Sequence, residues 1–254
     1  MKKINTTFTI FALLFLSSYS IIYGQIISGK VQYEASLLMD SSIDKFNKSK
    51  ASQASKNAYK KLMTNSSKLN YILDFNRTKS LFKKVKQLEQ LEFSKNPILE
   101  TRVNQGSFYS DYSKKVYLNI KDSQGDKILI SYPKTVWKIE QKTKMINGYL
   151  CGKATTTIIE NSRAKQKSKI TAWFAFDIPF NFGPNQFGGL PGLVLEVEYA
   201  AKYKIKATKI KLSSKKEVKI KEPKKGKKIS LTKYNEKIAK SFLKAYKKHN
   251  RKKN

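Results

Sequence analysis

Few groups in this 254-residue chain can do chemistry, and their positions narrow what it can be. A single imidazole, His249, lies close to the C-terminus among lysines. No Ser–His–Asp triad, Cys–His pair or His-ligated metal can therefore be assembled in the body of the protein. Cys151 is the only cysteine, which removes an intramolecular disulfide, a thiolate zinc site and a CxxC redox pair. Carboxylates remain. Asp177 closes a segment that carries Trp173, and Glu196 and Glu198, two residues apart, fall on one face of a strand. Two converging carboxylates suffice for glycoside hydrolysis. The competing reading of such acids is solvent-facing positions paired with lysines. The cluster Asp122–Asp126 lacks the ligand spacing of a calcium loop and reads as a hairpin turn. Neither GxGxxG nor GxxxxGK occurs, so nucleotide binding has no motif behind it. No cofactor or metal is expected.

Charge dominates the composition. There are 52 basic residues against 18 acidic ones, a net charge of +34, which invites a nucleic-acid reading through phosphate contacts. Yet only Arg77, Arg102, Arg163 and Arg251 carry the planar fork that clamps phosphates and reads base edges; the other 48 are Lys. Specific nucleic-acid recognition is therefore not expected. Residues 204–254 hold 21 basic residues against Glu217, Glu222 and Glu236, a net +18. Such a stretch attracts an anionic surface, or is simply a solvated face.

The elements around these groups are mostly strands. Lys30–Leu37 alternates apolar and polar residues, the period of a strand with one buried face. Similar signals recur at Leu69–Phe75, Lys79–Val85, Ser107–Tyr112, Val116–Ile120, Lys127–Ser131, Trp137–Gln141, Tyr149–Glu160, Lys169–Asp177, Leu193–Ala200 and Tyr203–Leu212. Their tight spacing predicts an antiparallel meander. Residues 44–63 predict one exposed, weakly amphipathic helix. Thr232 is expected to cap a last helix with Ile238, Phe242, Ala245 and Tyr246 on one side. The fold class is thus mainly β, a curved antiparallel sheet or half-open barrel with one helix after the first strand and one at the C-terminus. Three units are expected: a signal segment over 1–24, a β domain over 25–212, and a Lys-rich linker with the final helix over 213–254.

The signal segment rests on Lys2-Lys3, the apolar run Phe8–Leu16, the small residues Ser17, Ser18 and Ser20, and an exit at Gly24-Gln25. The apolar run is shorter than the roughly 20 residues that cross a bilayer. Export with cleavage near Gly24 follows, to the periplasm or the outer membrane. Cys151 is then most simply a buried thiol.

One block exceeds propensity. Between two strands lies Gly183-Pro184-Asn185-Gln186-Phe187-Gly188-Gly189-Leu190-Pro191-Gly192-Leu193-Val194. Prolines that fix φ, set among glycines, define a stiff, irregular loop. Phe180, Phe182, Phe187 and Leu190 give that loop an apolar side that folds back over a sheet. Two readings are open: a lid over an apolar cavity, or a plug that completes the core. The lid would take its ligand between Trp173, Asp177, Phe182, Gly183, Pro184, Phe187, Gly189, Leu190, Pro191 and Gly192. The block resembles the signature of the GLPGLI family, small exported proteins of Bacteroidota. Asn147–Ala154, Ala172–Pro179 and Lys224–Lys228 resemble further family segments in the same order. The resemblance implies export and a β-rich fold and supplies no activity. The leading expectation is a non-enzymatic envelope protein that binds or carries an apolar or amphiphilic ligand. The alternatives are an interaction protein whose basic C-terminus meets an anionic surface or an envelope protein, and a carboxylate hydrolase.

Overall fold

The computed structural model describes residues 26–38, 40–64, 68–85, 97–103, 106–123, 125–161, 166–200 and 202–250. The expected signal segment, 1–24, lies outside the described residues. Twelve strands form one sheet: β1 (Ser28–Leu37), β2 (Leu69–Asn76), β3 (Lys79–Lys84), β4 (Ser107–Asp111), β5 (Val116–Ser123), β6 (Asp126–Ser131), β7 (Lys138–Ile146), β8 (Tyr149–Asn161), β9 (Gln166–Ala175), β10 (Leu193–Tyr199), β11 (Tyr203–Ser213) and β12 (Lys227–Ser230). Four helices accompany them: α1 (Asp40–Asn47), α2 (Gln53–Thr64), α3 (Pro97–Val103) and α4 (Leu231–Asn250). The fold is mainly β and the sheet is open, as expected.

The strand order is β12-β6-β5-β4-β3-β2-β1-β11-β10-β9-β8-β7. One meander runs from β1 out to β6, a second returns from β7 to β11, and antiparallel pairing of β1 with β11 joins them. β6 and β7 are consecutive in the chain but ten strand spacings apart in the sheet. Laid flat, that separation would be about 48 Å at ~4.8 Å per strand. Residues 132–137 connect them, and a segment of that length reaches at most about 25 Å. The sheet must therefore curl until its ends face each other.

Alternation decides which side chains enter the curl. On β1, Val31, Tyr33 and Ala35 point inward, while Lys30 and Gln32 are exposed. In register beside them stand Leu73 and Tyr71 of β2, and Ile205 of β11 across from Ala35. Phe82, stacked on Tyr71 at 4.9 Å, and Phe108 continue the same layer. Helix α3 lies against β1 and β11 and buries Leu99 and Val103 there. Nothing in the sequence reading called for this helix, whose Pro97 occupies the first-turn position proline tolerates best.

A second, smaller core sits on the outer face. Tyr109 and Leu118 turn outward from β4 and β5 and are covered by Ile220 and Val218. The stretch that the charge pattern suggests as a linker is therefore a packed strap. Ser28 Oγ donates to the Lys216 carbonyl at 2.7 Å, and Asn76 Nδ2 donates to the Val218 carbonyl at 3.1 Å. Beyond the strap, β12 adds to β6 in parallel, the one parallel pairing among the described strands. Residues 40–64 form two helices rather than one, with Phe46 packed on Tyr59 at 4.4 Å across the break. Helix α4 begins at Leu231, one residue before the expected cap Thr232. Ser230 does the capping instead, its Oγ accepting from the Lys233 N–H at 3.3 Å.

Asn76 joins both cores: its Oδ1 also accepts from the N–H groups of Thr78 and Lys79, at 3.2 and 2.9 Å, and so builds the β2–β3 turn. Asn76→Ala should lower stability by about 1–3 kcal/mol, the cost of leaving such partners unmade. Urea unfolding checks this, and an unchanged midpoint would contradict the role.

Candidate functional site

The Gly-Pro loop between β9 and β10 fills the curl. Phe182, Phe187 and Leu190 are 3%, 1% and 1% exposed, and Ile178 and Phe180 are buried with them. Phe180 and Phe182 meet Phe75 of β2 at 4.8 and 6.1 Å, Phe182 meets Tyr112 at 5.2 Å, and Phe187 meets Tyr199 at 6.2 Å. The backbone is fixed as firmly. Leu193 N–H donates to the Ile178 carbonyl, Gly189 N–H to Asn181, and Val194 N–H to Phe182, all within 3 Å. Asn181 Nδ2 donates to the Leu190 carbonyl at 2.6 Å. Where β10 bulges between Val194 and Glu196, the buried Tyr33 hydroxyl donates to the Val194 carbonyl at 2.6 Å. Gly189 takes a φ of +91°, open to glycine, and a side chain on Gly192 would collide with the Ala175 carbonyl.

The connection from β6 to β7 straps the loop from outside. Thr135 Oγ1 donates to the Gln186 carbonyl at 3.0 Å, and Trp137 Nε1 donates to the Gly188 carbonyl at 2.9 Å. Of the ten loop and rim residues singled out in the sequence, Phe182, Gly183, Pro184, Phe187, Leu190 and Gly192 are buried inside this assembly and Gly189 is half-buried at its mouth. Asp177 and Pro191 are exposed. This is the packing of a plug.

Trp173 stands on the opposite side of the sheet. Register places it on the outer face between Lys153 of β8 and Glu196 of β10. Lys144 of β7 reaches over it, with Nζ 4.3 Å from the ring centroid and 2.6 Å from Glu196 Oε1. Cys151 is fully buried beside them. Burial pushes its thiol up to about 11, against the pull of the Lys144 ammonium, and the carboxylates of Glu196 and Asp177 add to the upward push. Two of the acids considered for catalysis, Glu196 and Asp177, thus both act on this thiol. Glu196, however, is buried and held in an ion pair, and the thiol beside it stays protonated at neutral pH.

Farther along the same outer face lies a recess of about 340 Å³, lined by Val136, Trp137, Lys138, Thr155, Thr156, Thr157 and Lys169. Beside it, Lys153 and Thr155 hold Glu140 at 2.9 and 3.0 Å, and their hydrogen bonds lower its carboxyl below the usual value. Sequence reasoning passed over this recess. Its only signal was three consecutive threonines in a strand flanked by lysines, a pattern that also describes an ordinary solvated face.

A family model described as "N-glycanase peptide, N-terminal domain" matches residues 53–236. Among solved structures, PNGF-II in one crystal form aligns with a TM-score of 0.51 and 17% identity, over 85% of this chain and 33% of that one. A second crystal form of PNGF-II gives a TM-score of 0.49 at 17% identity, over 85% of this chain and 34% of that one. The chain thus spans about a third of the length of these neighbours. At that identity the likeness concerns the fold. No curated protein matches the chain.

Two outcomes test this site. Leu190→Lys places an unpaired charge in the plug and should destabilise the protein by several kcal/mol; a melting temperature close to wild type would instead place Leu190 at a solvent-open wall. Cys151 should resist a thiolate-selective alkylating agent at mildly alkaline pH while the protein is folded and react once it is denatured. Rapid labelling of the folded chain would contradict the raised pKa.

Proposed function

Because this chain belongs to the family of N-glycanase peptide N-terminal domains, we propose that it is an exported, non-catalytic β module that attaches to an anionic envelope surface through its C-terminal strap and helix. The observation that carries the reading is the state of α4. Among the described residues it meets the sheet along β12 and β6, with Lys121 of β5 over the Tyr234 ring, and it leaves Leu231 and Ile238 39% and 52% exposed along a lysine-rich helix. A basic helix with an uncovered apolar side is the pattern of an interfacial membrane anchor. Among the described residues no helix is long and apolar enough to cross a membrane.

Several features support a non-catalytic role. Of the acids that offered chemistry, Glu196 is buried and tied in an ion pair to Lys144, next to the buried Cys151 thiol. The interior hollow that an apolar-ligand carrier needs is occupied by Phe182, Phe187 and Leu190. Affinity for amphiphiles is accordingly assigned to the surface helix rather than to a cavity. Export rests on the Lys2–Gln25 pattern and on the GLPGLI-like block, and membership of that group belongs to the same proposal.

Co-sedimentation with vesicles tests it. Binding should occur with anionic and not with zwitterionic vesicles and should fall steeply with salt, since each lysine near such a surface is worth about 1 kcal/mol and is screened within a Debye length. Ile238→Asp should weaken it without altering the fold. Salt-independent binding, or equal binding to zwitterionic vesicles, would overturn the reading.

A further inference from the structure

The recess on the outer face of β7, β8 and β9 has no part in the attachment just proposed. We propose that it is a binding site for an acidic oligosaccharide, held by the ammonium groups of Lys138 and Lys169 and the hydroxyl of Thr157 beside the apolar flank of Val136 and Trp137.

The register sets the arrangement. Lys138 of β7 lies opposite Thr155, and Lys169 of β9 lies opposite Thr157, all four on the outer face. The two lysine backbones are therefore two strands and two residues apart, about 12 Å on the diagonal. That is close enough for long side chains to bracket one acidic group and wide enough to serve two along a chain. Among the described residues, neither ammonium has a carboxylate within ion-pair distance. Lys169 acts through space on Glu140, which Lys153 and Thr155 already engage. The recess thus keeps a positive excess on strands whose pairing around Lys138–Thr155 and Thr157–Lys169 is in register, so a ligand meets a pre-formed site.

Shape and chemistry select the ligand class. At about 340 Å³ the recess is within the usual range for small-molecule sites and far larger than a bare oxyanion fills. Threonine hydroxyls both donate and accept, matching sugar hydroxyls. Val136, 82% exposed, offers apolar surface that a hydrated inorganic ion does not reward but the C–H faces of a sugar do. No arginine lines the recess to clamp a phosphate in two-point fashion. Trp137 is engaged with Phe187 and the Gly188 carbonyl and so does not serve as a base-stacking platform.

The full chain should be titrated calorimetrically with a uronic-acid-containing tetrasaccharide, its neutral counterpart, inorganic sulfate and a short single-stranded DNA. The acidic saccharide should bind, the neutral one and sulfate at least about tenfold more weakly, and Lys138→Gln and Lys169→Gln should each cost about tenfold, the loss of one charge-assisted hydrogen bond. Thr157→Val should weaken binding without changing the melting temperature, and Lys225→Gln, on the distant strap, should leave binding unchanged. No binding of the acidic saccharide, binding that ignores the three recess substitutions, or equal affinity for sulfate or DNA would each overturn the assignment.

Discussion

The shape of this protein depends on how little chain joins β6 to β7. Six residues, 132–137, must connect strands at opposite ends of the two meanders, and they can do so only if the sheet bends through much of a circle. A twisted sheet bends readily, but the bend creates an interior that must be filled. The loop between β9 and β10 fills it, and the short connection lies over that loop, with Thr135 and Trp137 bonded to its backbone. Curl, plug and strap are thus mutually dependent.

This division settles where function can reside. Aromatic rings from β2, β3, β4 and the loop occupy the inner face, and the second core under Val218 and Ile220 covers the outer face of β4 and β5. Among the described residues, what stays open is much of the outer face of β7 to β11 and the C-terminal helix, both lysine-rich. Both proposed contacts are accordingly surface contacts, through charge and hydroxyl groups, and the buried polar cluster around Glu196 holds Trp173 and Lys144 in place.

Much of the fold was legible because one physical signal, period-two burial, is carried by large side chains. Eleven strands could be placed from it, from Lys30–Leu37 to Tyr203–Leu212. It failed where lysine swamps it. Val218 and Ile220 alternate as a strand would, yet the surrounding charge reads as linker, and β12 is Lys-Lys-Ile-Ser. The loop residues were recognised as apolar and stiff. Whether they line a hollow or fill one depends on the curl, which is a property of topology rather than of any local stretch. The recess escaped notice for a related reason: Lys138, Thr157 and Lys169 are distant in sequence and meet only through the β7–β8–β9 register.

The two ends of the sheet differ in how they meet other molecules. At one end β12 closes the ladder with the chain's own C-terminal segment. At the other, β7 leaves a row of unpaired backbone groups, with Ile139 and Met145 more than half exposed beside them. Such an edge is a template for stacking one copy on another, and what stands against it is the repulsion between Lys138 and Lys142 and the register shift between Glu140 and Thr143. Along this edge ionised amines stand where a neighbouring strand stands elsewhere in the sheet, and chemistry that neutralises them weakens that guard.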